Sequence, residues 1–114
     1  MIYNQGDILL INFPFTSGEE HKKRPCMVIS RNEYNKERQE IIAVPITSQV
    51  EKELFIGDYL INEWKKAGLL KPGIIKCIIF TLEDINIIKK IGYLTEKDLS
   101  LAMRSILYVL IGNN

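Results

Sequence analysis

Lys22-Lys23-Arg24-Pro25-Cys26-Met27-Val28-Ile29-Ser30 runs without a break from charge into apolar strand. Pro25 suits the first residue of a strand or an edge, where its missing N–H costs no ladder bond. Cys26 to Ser30 then reads as a strand. The companion stretch is Val44-Pro45-Ile46-Thr47-Ser48-Gln49, where a strand beginning at Ile41 gives way to hydroxyl and amide side chains. An arginine at the start of one strand and a hydroxyl at the end of another can meet at one rim of a small sheet. Together they suit a phosphate. Taken alone, Arg24 reads first as a surface arginine at a strand edge.

Working outward, Ile8 to Phe13 is a short, continuous apolar run, the pattern of a strand buried on both faces. Pro14 ends or edges it, and Thr16 to Lys23 reads as a polar loop. Arg31 to Glu40 is almost wholly polar and is expected to be a loop or hairpin connection. Leu54-Phe55-Ile56 suggests a short fourth strand. Asn62 to Ala67 reads as a helical turn closed by a left-handed Gly68. After a Pro72-Gly73 turn, Ile74 to Leu82 is expected to be the longest strand, with Ile87 to Gly92 paired back on it as a hairpin. The last element is the clearest helix. Thr95 is its N-cap with Asp98 three residues on, and Leu94 and Leu99 stand at the positions of a hydrophobic staple. Leu99, Ala102, Met103, Ile106, Leu107 and Leu110 trace one apolar face expected to pack on the sheet, and Gly112 ends the helix. The fold class expected is mainly β (α+β): a small, partly closed antiparallel barrel with a C-terminal helix.

The 114 residues suffice for one domain, spanning 1–114. Apolar residues make 46% and charged residues 25%, an ordinary balance for a soluble domain. With a net charge of +1, no global field draws the chain to nucleic acid or membrane. Lys65, Lys66, Lys71 and Lys76 form an acid-free stretch, read as a solvated face or a basic patch. The start lacks a signal-peptide pattern, and no apolar run reaches membrane length. Cys26 and Cys77 each sit in an apolar run and read as core thiols, with no pairing required. With one histidine they give no zinc spacing. A cytoplasmic protein without metal or cofactor is expected.

Several stretches together carry a family resemblance. They are Gly6-Asp7 with Ile8 to Phe15, Lys23 to Ser30, Val44 to Ser48, Trp64 with Ala67-Gly68-Leu69, Lys71-Pro72-Gly73, and Gly92-Tyr93-Leu94-Thr95 before the closing helix. In order and spacing the chain resembles the MazF/PemK family, toxins of type II toxin–antitoxin systems. The resemblance implies an SH3-like barrel, a homodimer and a metal-independent endoribonuclease cutting single-stranded RNA at short sequences. It implies products with a 2′,3′-cyclic phosphate and a 5′-hydroxyl. It also implies neutralisation by a cognate antitoxin, whose flexible acidic segment lies across the RNA groove. Carried onto this chain, the catalytic residues are Arg24 and Thr47.

The residue types fit that chemistry. The RNA's own 2′-hydroxyl is the nucleophile, so the protein must align it and stabilise charge on the phosphoryl oxygens. Arg24 offers a planar fork of donors but stays protonated, which assigns it stabilisation before proton transfer. Thr47 can bond a phosphate oxygen or orient the 2′-hydroxyl. Acid–base candidates are His21 and Glu19, with Glu20 beside them; the plainer reading of His21 is a solvated loop histidine. Lys22 and Lys23 stand where several relatives carry Gly and His, and they suit phosphate contacts. Phe15 reads as a base-stacking candidate or as core, whereas Phe13 reads as core. Ser48 and Gln49 contact RNA or cap the strand end. Trp64 is expected on the barrel or a dimer partner. Two other readings stay open: a non-catalytic nucleic-acid or protein-binding module on the same fold, and a gyrase-directed toxin.

Overall fold

The computed structural model describes residues 2–13 and 22–112. The candidates Phe15, Glu19 and His21, like Pro14 and Glu20, lie outside the described residues. Among the described residues, seven strands and two α-helices follow in order: β1 (Asp7–Phe13), β2 (Lys22–Val28), α1 (Asn32–Arg38), β3 (Ile41–Thr47), β4 (Tyr59–Leu60), β5 (Ile74–Ile75), β6 (Phe80–Leu82), β7 (Ile87–Tyr93) and α2 (Glu96–Ile111). All pairings are antiparallel, in the order β4-β5-β3-β2-β1-β7, with β6 alongside β5 on the same side of β3.

Alternation along the central strands builds a core on each face of this sheet. Ile8, Met27, Val44 and Ile46 pack on one face with Ala102 and Ile106 of α2. Leu9, Ile11, Cys26, Val28, Ile41 and Ala43 pack on the other, with Phe80 and Leu82 of β6. The unbroken apolar run of β1 therefore serves two cores at once, as its composition suggested. Phe13 joins the second core, edge-on to Phe80 at 5.6 Å between ring centres. Each such aliphatic side chain, fully buried, contributes about 1.5–3 kcal/mol.

No pairing among the described residues joins β4 to β7, so hydrogen bonds do not close the sheet. The turn after β4 fills the gap instead. Its backbone bonds run from Ala67 N to Glu63 O (3.2 Å) and from Leu69 N to Trp64 O (3.1 Å), and it ends at Gly68 with φ +94°. The turn lies so close to β7 that a Cβ on Gly92 would sit 2.1 Å from the Ala67 carbonyl oxygen. Trp64 packs on the first core, with the Lys65 ammonium 5.4 Å from its ring centre.

Thr95 caps α2 as its sequence predicts, its hydroxyl accepting from Asp98 N at 3.2 Å. Asp98 does more than complete a capping box. It is 1% exposed and accepts from the Glu63 N–H (2.8 Å), the Asn62 N–H (3.1 Å) and the Tyr59 hydroxyl. One carboxylate thus ties the start of α2 to the turn that fills the sheet's gap. Burial works against its charge, but those hydrogen bonds outweigh it and hold the Asp98 carboxyl below the usual range. The same bond pushes the Tyr59 hydroxyl up, with burial as the larger cause.

Several expectations are corrected. The polar stretch 31–40 contains a helix, α1, stabilised by polar bonds rather than an apolar stripe. Its buried Asn35 donates to Tyr3 O (2.8 Å) and Ser30 O (3.3 Å), and its amide oxygen accepts from the Ser30 hydroxyl. The expected long strand 74–82 is two short ones, β5 and β6, which pair with different halves of β3. The hairpin of 74–82 with 87–92 does not form. β7 pairs with β1, completing the second edge of a strand whose buried backbone needs both edges bonded. Leu54-Phe55-Ile56 is not a strand; β4 is Tyr59–Leu60. β2 starts at Lys22 and Pro25 lies inside it, opposite Leu10. Leu107 and Leu110 do not pack on the sheet but are 43% and 55% exposed.

Candidate functional site

β2 and β3 pair from Val28↔Ala43 to Cys26↔Pro45. Continuing that register outward sets Arg24 across from Thr47, just where β3 takes up β5 on its other edge. Both residues line one groove of about 670 Å³. Lys23, Arg24 and Pro25 come from β2, and Ile46, Thr47 and Ser48 from the end of β3. Leu10 of β1 lies between β2 and β7, whose Lys89, Lys90 and Ile91 continue the lining. The segment from Gly68 to Gly73, carried on the Asp98-anchored turn, completes it. A second hollow of about 520 Å³ runs along α2 past Gln5, Leu99, Met103 and Tyr108; it shares no residue with the groove.

The groove is strongly one-sided in charge. Lys23, Arg24, Lys71, Lys89 and Lys90 line it, and no carboxylate among the described residues does. In a chain of net charge +1 this is a local concentration of cations. Arg24 is half-buried and has no ion pair with a described residue. The Thr47 hydroxyl accepts from the Gln49 N–H at 3.2 Å, which fixes the turn out of β3 and leaves the hydroxyl proton to donate elsewhere.

Of the sequence candidates, Arg24, Thr47, Lys23 and Ser48 share the groove. Lys22 and Gln49 are exposed and do not line it. The lysine-rich stretch 65–76 divides: Lys71 lines the groove, whereas Lys66 pairs with Glu63 (3.4 Å) and Lys76 with Asp58 (2.8 Å). Sequence reading missed Lys89 and Lys90. Their stretch reads as part of a hairpin with 74–82, and no local signal indicates that β7 crosses to β1. No cluster of three metal-ligating side chains occurs among the described residues. No described helix is long and apolar enough to cross a membrane. Cys26 and Cys77 are both free, and burial pushes the Cys26 thiol up to about 12.

A sequence profile described as PemK-like, MazF-like toxin of type II toxin-antitoxin system matches residues 4–110. The chain belongs to this toxin family. No curated protein sequence matches this MazF-like chain. Among solved structures it is similar to an endoribonuclease from mycobacterial species, at 14% identity and TM-score 0.77, over 96% of this chain and 92% of that one. It is likewise similar to an endoribonuclease in complex with its cognate antitoxin from mycobacterial species (15% identity, TM-score 0.78, 95% and 94% covered). MazF from Deinococcus radiodurans aligns at 18% identity and TM-score 0.75 over 99% of each chain. At these identities the likeness is one of fold, and it bears out the small, partly closed antiparallel barrel with a C-terminal helix.

Proposed function

We propose that this MazF-like chain is a sequence-specific endoribonuclease that cuts single-stranded RNA through the substrate's own 2′-hydroxyl. The observation that carries the reading is the groove itself, which Arg24 and Thr47 line together with Lys23, Lys71, Lys89 and Lys90. The 2′-oxygen attacks the adjacent phosphorus and the 5′-oxygen leaves. The products are a 2′,3′-cyclic phosphate and a 5′-hydroxyl. Arg24 donates to the phosphoryl oxygens as charge grows on them. Thr47 donates its hydroxyl proton to a phosphate oxygen or aligns the 2′-hydroxyl. A deoxy substrate lacks the nucleophile and is bound uncut. Proton transfer falls to the loop candidates His21 and Glu19.

Catalysis by these groups needs no bound metal. The test is cleavage of a long single-stranded RNA in EDTA. Arg24→Ala is expected to lower the rate about 10²–10³-fold, the usual cost of a missing donor to a developing oxyanion. Thr47→Ala is expected to lower it about 10–100-fold, the worth of one charge-assisted hydrogen bond. Intact RNA with folded wild-type protein, or cleavage unchanged in both variants, overturns the reading.

The family and the RNA substrate imply a cytoplasmic toxin held in check by an acidic antitoxin segment, for which the same cationic groove is suited. The chain is also proposed to act as a homodimer. Phe55 and Ile56, Ile78 and Ile79, and Val109 and Leu110 are all exposed, by 43–71%. Asp58 brings their three segments together. It accepts from the Phe55 N–H (3.0 Å), pairs with Lys76 (2.8 Å), and its carbonyl accepts from the Ser105 hydroxyl (3.3 Å). An apolar patch of this composition suits a second copy.

A further inference from the structure

We propose that Lys71 and Lys89 form a second phosphate position in the groove, which takes the phosphate of a nucleotide flanking the scissile one in single-stranded RNA. This rests on the ribonuclease reading and adds the path of the strand to it. β2, β1 and β7 are consecutive in the sheet, and Pro25, Leu10 and Lys89 lie in one register row. Two inter-strand steps separate β2 from β7, roughly 10 Å. A phosphate at Lys89 therefore belongs to a neighbouring nucleotide, not to the one held by Arg24.

The local backbone singles out this place. The β1–β7 ladder shifts register twice, between Ile8 and Leu9 and between Leu10 and Ile11. The extra residues are Ile91 and Ile88, so a bulge stands on each side of the Lys89–Lys90 pair. Bulges re-aim side chains and concentrate beside functional sites.

The two lysines then divide. Lys90 is engaged within the fold, 3.2 Å from buried Asp7 and 5.5 Å from the ring centre of Tyr93. Lys89 is exposed and makes no ion pair with a described residue. Lys71 is in the same state, on the segment whose Gly68 packs against Ile91. Other lysines, such as Lys36, Lys52 and Lys97, are also without an ion pair to a described residue; what sets Lys71 and Lys89 apart is that they share one groove with Arg24. Gathering unpaired cations in one groove is self-repulsive, and a polyanion relieves that repulsion.

The test uses a fluorescently labelled single-stranded oligodeoxynucleotide, which binds but lacks the 2′-hydroxyl. Its affinity is measured by anisotropy across a salt series for wild type, Lys71→Gln, Lys89→Gln and Lys66→Gln. Removing one cation that neutralises a phosphate of a single strand flattens the slope of log K against log salt by about 0.7. Lys71→Gln and Lys89→Gln are each expected to do so, and Lys66→Gln to leave the slope as it is. With RNA, both groove variants are expected to raise KM more than they lower kcat. If wild type binds the probe and cuts RNA but neither groove variant changes the slope, this proposal falls and the ribonuclease reading stands. If wild type neither binds the probe nor cuts RNA, both fall.

Discussion

Replacing Asp98 by asparagine changes almost no volume and removes one charge, so it isolates what the carboxylate does. One Asp98 oxygen accepts from Tyr59 and the Asn62 N–H; the other accepts from the Glu63 N–H at 2.8 Å and meets the Thr95 hydroxyl at 3.4 Å. An amide keeps the first oxygen and turns an NH₂ toward the second set. The Glu63 N–H then loses its acceptor in a site that is 1% exposed. One charge-assisted bond is removed and one buried donor is left unsatisfied, so a cost of about 3 kcal/mol is expected for Asp98→Asn. For a domain of this size that lowers Tm by roughly 10–20 °C. The pH dependence carries a sign. The folded carboxyl lies below its unfolded value of about 3.9, so its contribution is full above that pH and fades as pH falls through the folded value. Urea unfolding of both proteins at neutral pH, and again in a series descending below pH 4, measures the difference and its decline. A difference under about 0.5 kcal/mol at neutral pH, as for an ordinary surface substitution, would refute the anchoring argument. So would a difference that does not shrink in acid.

Three further outcomes follow from packing. Gly92→Ala drives a methyl against the Ala67 carbonyl oxygen, and the turn must move; a loss near 3 kcal/mol, the upper end for overpacking, is expected in chemical denaturation. Cys26, fully buried with its pKa pushed up to about 12, should stay unreactive to a thiol reagent at pH 8 while half-buried Cys77 is labelled; equal labelling of both in native protein would contradict the buried placement. The double variant Phe55→Asp, Ile79→Asp puts charge into the exposed apolar patch and is expected to convert a dimer to a monomer by light scattering; an unchanged mass would place the dimer contact elsewhere.

What could be read in advance depended on how local its cause was. β1, β3 and α2 announced themselves through apolar runs and a capping residue, signals written within a few neighbours. That Arg24 and Thr47 would come to one rim of the sheet was legible because each sits where the chain changes abruptly between polar and apolar residues, and both do line one groove. α1 was not legible, since its folding rests on Asn35 reaching Tyr3, more than thirty positions away. The division of 74–82 into two strands was equally hidden, because it follows from β3 being long enough to pair with both. The exposed end of α2 misled in another way. Leu107 and Leu110 fit the apolar period, but the sheet does not extend beneath them. Their pattern records an apolar face without saying what covers it.

The pairing of β1 with β7 has a consequence for synthesis. Asp7 aligns with Tyr93, so one strand waits for another made more than eighty residues later. Until β7 emerges from the ribosome, β1 lacks its second neighbour and the Lys89–Ile91 part of the groove does not exist. Pairings this distant in sequence slow folding, and domains fold as units rather than piecemeal. A nascent chain therefore carries Arg24 and Thr47 without a complete groove around them until β7 has been made.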